Sequence, residues 1–323
     1  MLTQNNLLQI LQGAVRVWEE NSEFCFSRFT RKQEALLSRL GFSPREHSCA
    51  GMRLEFTTQG GIIAFDYTVS PGSTREYYGI ELSLDGLPVH HVYHETVPHA
   101  GHFSYSIPPS ETPVRVTVYF PHSVQLRISN LTLPADYAPH RRRGKYLAFG
   151  DSITQGHDAA HPNQSYTNLL ADALDMELLN QAVGNGRFCP EKPDPELPFL
   201  PDLITVAYGT NDWDFETLNS DAPAAFLKTL TELYPNTPIV LMLPIWRAEH
   251  IQLRGKWNLA QGREFLKHCA QSFPQVRVID CSNFVPPLPE YFYDGTVHPN
   301  DMGYLYFAHA LIQTIRDAVQ PVS

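Results

Sequence analysis

Long hydrophobic runs are missing from this 323-residue chain. No stretch approaches the ~18–20 uninterrupted apolar residues that a membrane-spanning helix requires. An excess of basic residues is missing as well. Lys and Arg number 24 against 34 Asp and Glu, a formal charge of −10, so most of the surface repels a phosphate backbone and nucleic-acid binding is a poor candidate for the main task. Cysteine is sparse: Cys25, Cys49, Cys189, Cys269 and Cys281 are odd in number, scattered, and form neither a CxxC pair nor a zinc spacing. They read as free thiols of a reducing compartment. The first twenty residues show no basic start followed by an apolar core and no small-residue cleavage site, so a cytoplasmic location is expected. No internal repeat is found.

What the chain does contain is the profile of a folded protein, with 43% hydrophobic, 11% aromatic and 18% charged residues. The length exceeds what one compact core usually holds and predicts two domains. From about Cys49 to Leu133 short alternating segments are separated by turn residues: Met52–Phe56, Ile62–Val69, Tyr78–Leu84 ending at Asp85-Gly86, Val114–Phe120, and a last strand pair in Val124–Leu133. At least six strands without an intervening helix predict an antiparallel β-sandwich. The leading segment Asn5–Val17 has apolar residues at mixed helical spacing and is expected to cross onto the second half.

From Lys145 the rhythm becomes strand, loop, helix. Continuous apolar runs at Tyr146–Phe149, Leu178–Val183, Leu203–Tyr208, Ile239–Leu243 and Val276–Asp280 predict strands covered on both faces. Helices are expected at Ser165–Leu174, Ala222–Leu233, Asn258–Ser272 and Gly303–Asp317, giving an open parallel α/β sheet. The boundary falls in Pro134–Gly144, dividing the chain into domains at 1–140 and 145–323. The basic run Arg141-Arg142-Arg143 reads as a solvated linker.

Reactive groups in such a sheet lie beyond the carboxyl ends of its strands. Gly150-Asp151-Ser152-Ile153-Thr154 follows the first strand, and a serine there needs a nearby imidazole to take its proton. The segment is neither a P-loop nor a Gly-x-Ser-x-Gly elbow, and Ser152 could equally belong to a helix cap. Gly209-Thr210-Asn211-Asp212 follows the third strand; an Asn amide there can donate to an oxyanion, although Asn and Asp also favour such turns. Near the C-terminus, Tyr293-Asp294-Gly295-Thr296-Val297-His298-Pro299 offers a histidine base with Asp294 as a candidate partner. Asp151, Asp212 and Asn180 read as hydrogen-bonding scaffold, while Trp213 and Trp246 are placed to line the crevice or to fill the core. His90, His91, His94, His99 and His102 crowd thirteen positions, but strand alternation would spread them over two faces, so no metal site is expected.

Gly-Asp-Ser-Ile-Thr, Gly-Thr-Asn-Asp and Asp…His-Pro, in that order over residues 147–302, resemble the SGNH (GDSL) hydrolase superfamily. The β-rich first half is similar to the jelly-roll accessory domain that precedes the catalytic domain in some of its esterases and acyltransferases. The resemblance implies a flavodoxin-like five-stranded catalytic domain and a serine esterase working through an acyl-enzyme on small acyl esters, acetyl foremost, including those of carbohydrates. It implies Ser152 as nucleophile, His298 as base and Asp294 as its orienting acid. The oxyanion hole would combine Ser152, Asn211 and a backbone N–H of the Gly184–Asn185 turn, which replaces the glycine the family carries five residues after an Asn, here Asn180. The family acid usually lies three residues before the His; here that position is Gly295, so either Asp294 reaches His298 from four residues away or a backbone carbonyl orients the imidazole. No cofactor is implied. The partner is a small-molecule or carbohydrate ester, and association of several chains is left open. Rival readings are acyl transfer at the same site and a binding or assembly protein with a silent hydrolase half.

Overall fold

A computed structural model describes residues 4–97, 99–218 and 220–319; positions 1–3 and 320–323 of the two expected domain ranges lie outside them. Eleven of the described strands precede residue 140: β1 (Leu11–Gln12), β2 (Arg16–Glu20), β3 (Glu23–Ser27), β4 (Arg53–Thr58), β5 (Gly61–Pro71), β6 (Tyr78–Leu84), β7 (Leu87–His94), β8 (His99–Ile107), β9 (Val114–Tyr119), β10 (Val124–Thr132) and β11 (Ala138–Pro139). They form two antiparallel sheets ordered β1-β4-β9-β6-β7, with β11 on β4, and β2-β3-β10-β5-β8. Alternation explains why they stack. In β5 the residues Ile63, Phe65, Tyr67 and Val69 all turn inward and are buried, and they meet Phe56, Ile80, Leu82 and Val118 of the other sheet in one core.

The expected strand pair at Val124–Leu133 is instead the single strand β10, which pairs with both β3 and β5 and shifts register between Ser129 and Thr132. The leading segment is helical only over α1 (Gln4–Ile10); β1 and β2 follow it. Gly13 does lie against the Leu178 carbonyl of the second half. A further helix, α2 (Arg31–Arg39), starts at a Thr30–Gln33 capping box.

The second half holds a parallel sheet of β12 (Gly144–Gly150), β13 (Met176–Asn180), β14 (Leu203–Ala207), β15 (Ile239–Leu243) and β16 (Val276–Asp280), ordered β13-β12-β14-β15-β16. That order is flavodoxin-like. The helices are α3 (Ser152–Gln155), α4 (Tyr166–Leu174), α5 (Thr210–Asp214), α6 (Ala222–Leu233), α7 (Leu259–Ala270) and α8 (Asp301–Val319). Both faces of the sheet are covered, as its apolar runs require. Leu147 and Phe149 pack with Phe226 and Leu230 of α6, whereas Tyr146 and Ala148 pack with Leu170 of α4 and Leu311 of α8. Among the described residues no helix is long and apolar enough to cross a membrane, and all five cysteines are free.

The seam between the halves is polar. Arg53 and Glu55 on β4 are fully buried. Arg142, with 1% of its side chain exposed, binds both Glu55 and Asp172 of α4, and Arg53 Nη1 reaches Asp172 Oδ1 at 2.7 Å. Tyr119 Oη donates to Asp172 Oδ2 at 2.6 Å. Burial alone would raise the Glu55 carboxyl, but Arg142 and Arg53 hold it below the ordinary range. The basic run is thus no solvated linker: its middle residue is an internal strut. Arg142→Met should destabilise the protein by roughly 3–5 kcal/mol, because removing one partner strands buried charge. Arg141→Met, at an exposed neighbour, should stay within about 0.5 kcal/mol. Urea denaturation of both variants measures the difference.

Candidate active site

Ser152 is the first residue of α3, with Asp151 as its N-cap: the Asp151 carboxylate accepts the Ile153 N–H at 3.0 Å. The turn from β12 into α3 is tight, since a Cβ on Gly150 would stand 2.0 Å from Thr154 Oγ1. The helix therefore starts directly off the strand and leaves the serine at the sheet's carboxyl edge. From the far end of the chain, His298 brings Nε2 to 2.8 Å from Ser152 Oγ.

Asp294 Oδ2 lies 2.8 Å from His298 Nδ1. Its other oxygen accepts backbone N–H groups from Thr296 (2.8 Å), Val297 (2.7 Å) and His298 (3.2 Å). The four-residue separation works because Gly295 sits at φ +69°, which folds the loop back and lets Asp294 cap it. Burial would raise the Asp294 carboxyl, but hydrogen bonds from His298 and the loop amides hold it well below the usual carboxylate range. An ionised acceptor at Nδ1 fixes the proton on that nitrogen and leaves the Nε2 lone pair facing the serine hydroxyl.

The Gly184–Asn185 turn supplies one free backbone donor. Gly184 N–H is taken by Gln155 Oε1 at 2.6 Å and Gly186 N–H by the Val183 carbonyl at 2.9 Å. Asn185, at φ +67°, has an N–H with no partner among the described residues. Of the two turn residues expected to line the oxyanion hole, Gly184 and Asn185, only Asn185 keeps its N–H free, because Gln155 takes that of Gly184. Asn211, at the start of α5, spends one amide hydrogen on the Gly186 carbonyl (3.1 Å) and keeps the other. Ser152, Asn185, Asn211 and His298 line one solvent-open cleft with about 460 Å³ of space.

The expected scaffold residues hold loops. Asp212 accepts the N–H of Phe188 and of Gly209, both at 3.1 Å, and burial pushes its carboxyl up to about 7. Burial likewise pushes Asp151 up to about 6. Asn180 ends β13 by accepting the Ala182 N–H and donating to the Thr154 carbonyl. Trp213 is buried in the core with its indole N–H on the Trp257 carbonyl, and Trp246 packs on Phe292; neither lines the cleft.

Several contributors carry no sequence motif. Asp158, buried and at φ +70°, places Oδ2 3.4 Å from His298 Nδ1. Arg75 grips both its oxygens at 2.6 Å, and Tyr77 Oη donates to one of them. Arg75 and Tyr77 belong to the turn before β6, so the first half reaches the imidazole through this carboxylate. Arg45 and Thr74, also from the first half, line the cleft. His157 is buried beside His298, and burial followed by the neighbouring imidazole holds it well below its ordinary pKa, hence neutral.

Among the described residues two groups of three potential metal ligands lie within 4.8 Å of one another: Asp158, Asp294 and His298, and Glu81, His91 and His161. The first is the hydrogen-bonded surround of Nδ1 just described. In the second, His161 Nδ1 lies 2.8 Å from Glu81. The five clustered histidines do not form a single group: His90 packs on Phe103, His94 and His99 lie with ring centroids 4.1 Å apart beside Tyr78, His102 pairs with Asp66, and His91 belongs to the second group.

Residues 148–305 match the model of the GDSL-like Lipase/Acylhydrolase family. The second half is a GDSL/SGNH-hydrolase-like domain. No curated protein matches the chain in sequence. Among solved structures, the chain is similar to a salicylyl-acyltransferase from a tetracycline biosynthetic pathway (22% identity, TM-score 0.82, covering 97% of this chain and 96% of that one). It is also similar to a family two carbohydrate esterase from Cellvibrio japonicus (18%, TM-score 0.60, 96% and 95%). A third likeness is to an acetyl xylan esterase from the rumen bacterium Butyrivibrio proteoclasticus (16%, TM-score 0.62, 96% and 96%). These likenesses extend through both halves, so the GDSL domain and its preceding antiparallel sheets recur as one arrangement.

The depressed Asp294 carboxyl in this GDSL domain has a measurable sign. Its stabilising contribution is complete above the unfolded-state pKa of about 3.9 and is lost as pH falls towards the folded value. The stability gap between wild type and Asp294→Asn, followed by urea denaturation, should be constant from about pH 5 to 7 and close progressively below about pH 4.

Proposed function

We propose that this chain is a serine esterase that hydrolyses small acyl esters, acetyl foremost, on a carbohydrate or other small alcohol. The observation that carries the reading is the 2.8 Å approach of Ser152 Oγ to His298 Nε2, with Asp294 at the same distance from the other ring nitrogen. Ser152 Oγ attacks the ester carbonyl while Nε2 takes its proton. The oxyanion receives hydrogen bonds from the backbone N–H groups of Ser152 and Asn185 and from the Asn211 amide. The C–O bond to the alcohol breaks as His298 returns the proton to the leaving oxygen. Water then attacks the acyl-enzyme by the same route, releasing the acid and restoring Ser152.

The preference for small acyl groups, and for carbohydrate alcohols, is supported by the names of the two esterases above and by the open form of the cleft. Acyl transfer to an acceptor other than water is the second reading, favoured by the similarity to the salicylyl-acyltransferase. An added alcohol or sugar that diverts the acyl group from hydrolysis would select it. The main test is a series of p-nitrophenyl esters of rising chain length beside acetylated sugars, with Ser152→Ala as the control. Inactivity of the wild type towards all of them would overturn the esterase reading.

Within that assay, Asn211→Ala should lower kcat by roughly 10²–10³, the usual loss for one oxyanion donor. Asp294→Asn should lower kcat far more than it alters KM. The loss should fall short of the roughly 10⁴ seen when an orienting carboxylate is the imidazole's sole partner, because Asp158 stays 3.4 Å from Nδ1.

A further inference from the structure

Arg45 is the one residue lining the cleft that carries a fixed charge, and no carboxylate lines it. The negative groups nearest the imidazole, Asp158 and Asp294, stand behind His298 and are already engaged. His157, the imidazole beside His298 in the wall, is kept neutral by burial. The Arg45 guanidinium makes no hydrogen bond or ion pair with any described residue, although the chain as a whole carries an excess of ten negative charges.

The backbone that carries this side chain is held in place. The side chain's stem crosses the oxyanion turn, with Cδ 3.4 Å from where a Gly184 Cβ would stand. The main-chain N–H of Arg45 donates to the Phe42 carbonyl at 2.7 Å, and its main-chain carbonyl accepts from buried Arg28 at 3.5 Å. A half-buried cation on a fixed turn, beside the oxyanion donors and lacking a counter-ion, is a binding group without its ligand. Thr74, which also lines the cleft, brings a hydroxyl that makes no hydrogen bond with the described residues.

We propose that Arg45 forms a subsite for a compact oxyanionic group, a carboxylate, sulfate or phosphate, borne by the ester that reacts at Ser152. The subsite rests on the reading of Ser152 as nucleophile for the nature of its ligand, but anion binding can be read without turnover. The planar guanidinium fork suits two oxygens of such a group, and hydrogen bonds between ionised partners are about twice as strong as neutral ones.

The test uses matched ligands. With the anion on the alcohol side, 4-acetoxybenzoate is compared with 4-acetoxybenzamide; with the anion on the acyl side, 4-nitrophenyl hemiglutarate is compared with 4-nitrophenyl pentanoate. In the Ser152→Ala protein, calorimetry should show the anionic member of at least one pair binding about tenfold or more tightly. Adding Arg45→Gln should bring that ratio towards one, and Arg45→Lys, which keeps the charge without the fork, should give an intermediate value. Equal binding of both members of both pairs, or a preference that survives Arg45→Gln, overturns the subsite. Wild-type turnover of the neutral esters without any anionic preference would overturn the subsite and leave the esterase reading intact. Anion binding that depends on Arg45, with no ester turned over, would keep the subsite and overturn the esterase reading.

Discussion

A guanidinium that faces no carboxylate sits at the centre of this molecule. Arg28 is fully buried between the two halves, and its donors go to carbonyls and a hydroxyl: Ser48 O and Oγ at 2.8 Å, Ala182 O at 2.9 Å, and Asn180 O. Burial lowers its pKa to about 10, which still leaves it charged at neutral pH. The charge is tolerated because several backbone dipoles converge on it. Two of those carbonyls lie at the end of β13, where the chain enters the oxyanion turn. The turn that presents Asn185 is therefore fastened from the antiparallel half, and a lysine, a point charge on a flexible stem, lacks the planar fork that meets these four acceptors and the Arg45 carbonyl at once.

The same logic recurs around the imidazole. Asp158 is held by Arg75 and Tyr77, and Gln155, which occupies Gly184 N–H, is itself fixed by Ser48 Oγ and the His122 carbonyl. The imidazole and the oxyanion turn each have a support from the antiparallel half. The first half is thus a wall of the cleft and a brace behind it.

Much of this architecture was legible in the sequence because burial on two faces writes itself as continuous apolar runs. Ile239–Leu243 coincides with β15, buried at all five positions, for that reason, whereas edge strand β16 also matches its expected span, Val276–Asp280, with only Val276 and Ile279 buried. The strand ending at Asn180 was read three residues too long, since Ala182 and Val183 are as apolar as the strand while the Asn180 side chain turns the backbone away. Strands β7 and β8 were hidden by their histidines and glycine, and β1 and β2 by a helical-looking spacing. Ser152, Asn211 and His298 stood out because their motifs are local. Asp158, Arg75, Tyr77 and Arg45 did not, because their meaning lies in contacts between residues far apart in the chain, which no local pattern records.

The ion network at the seam has a consequence for how such a protein can change over time. Arg53, Glu55, Arg142 and Asp172 come from both halves and from the segment between them, and the first three cannot lose their counterparts without leaving charge in a dry interior. The two units look like interchangeable modules when viewed as folds, yet neither can be traded for a relative's copy unless the matching half of the network travels with it. Inheritance of this pair should accordingly be joint, with the β-rich portion and its hydrolase diverging together as a single lineage.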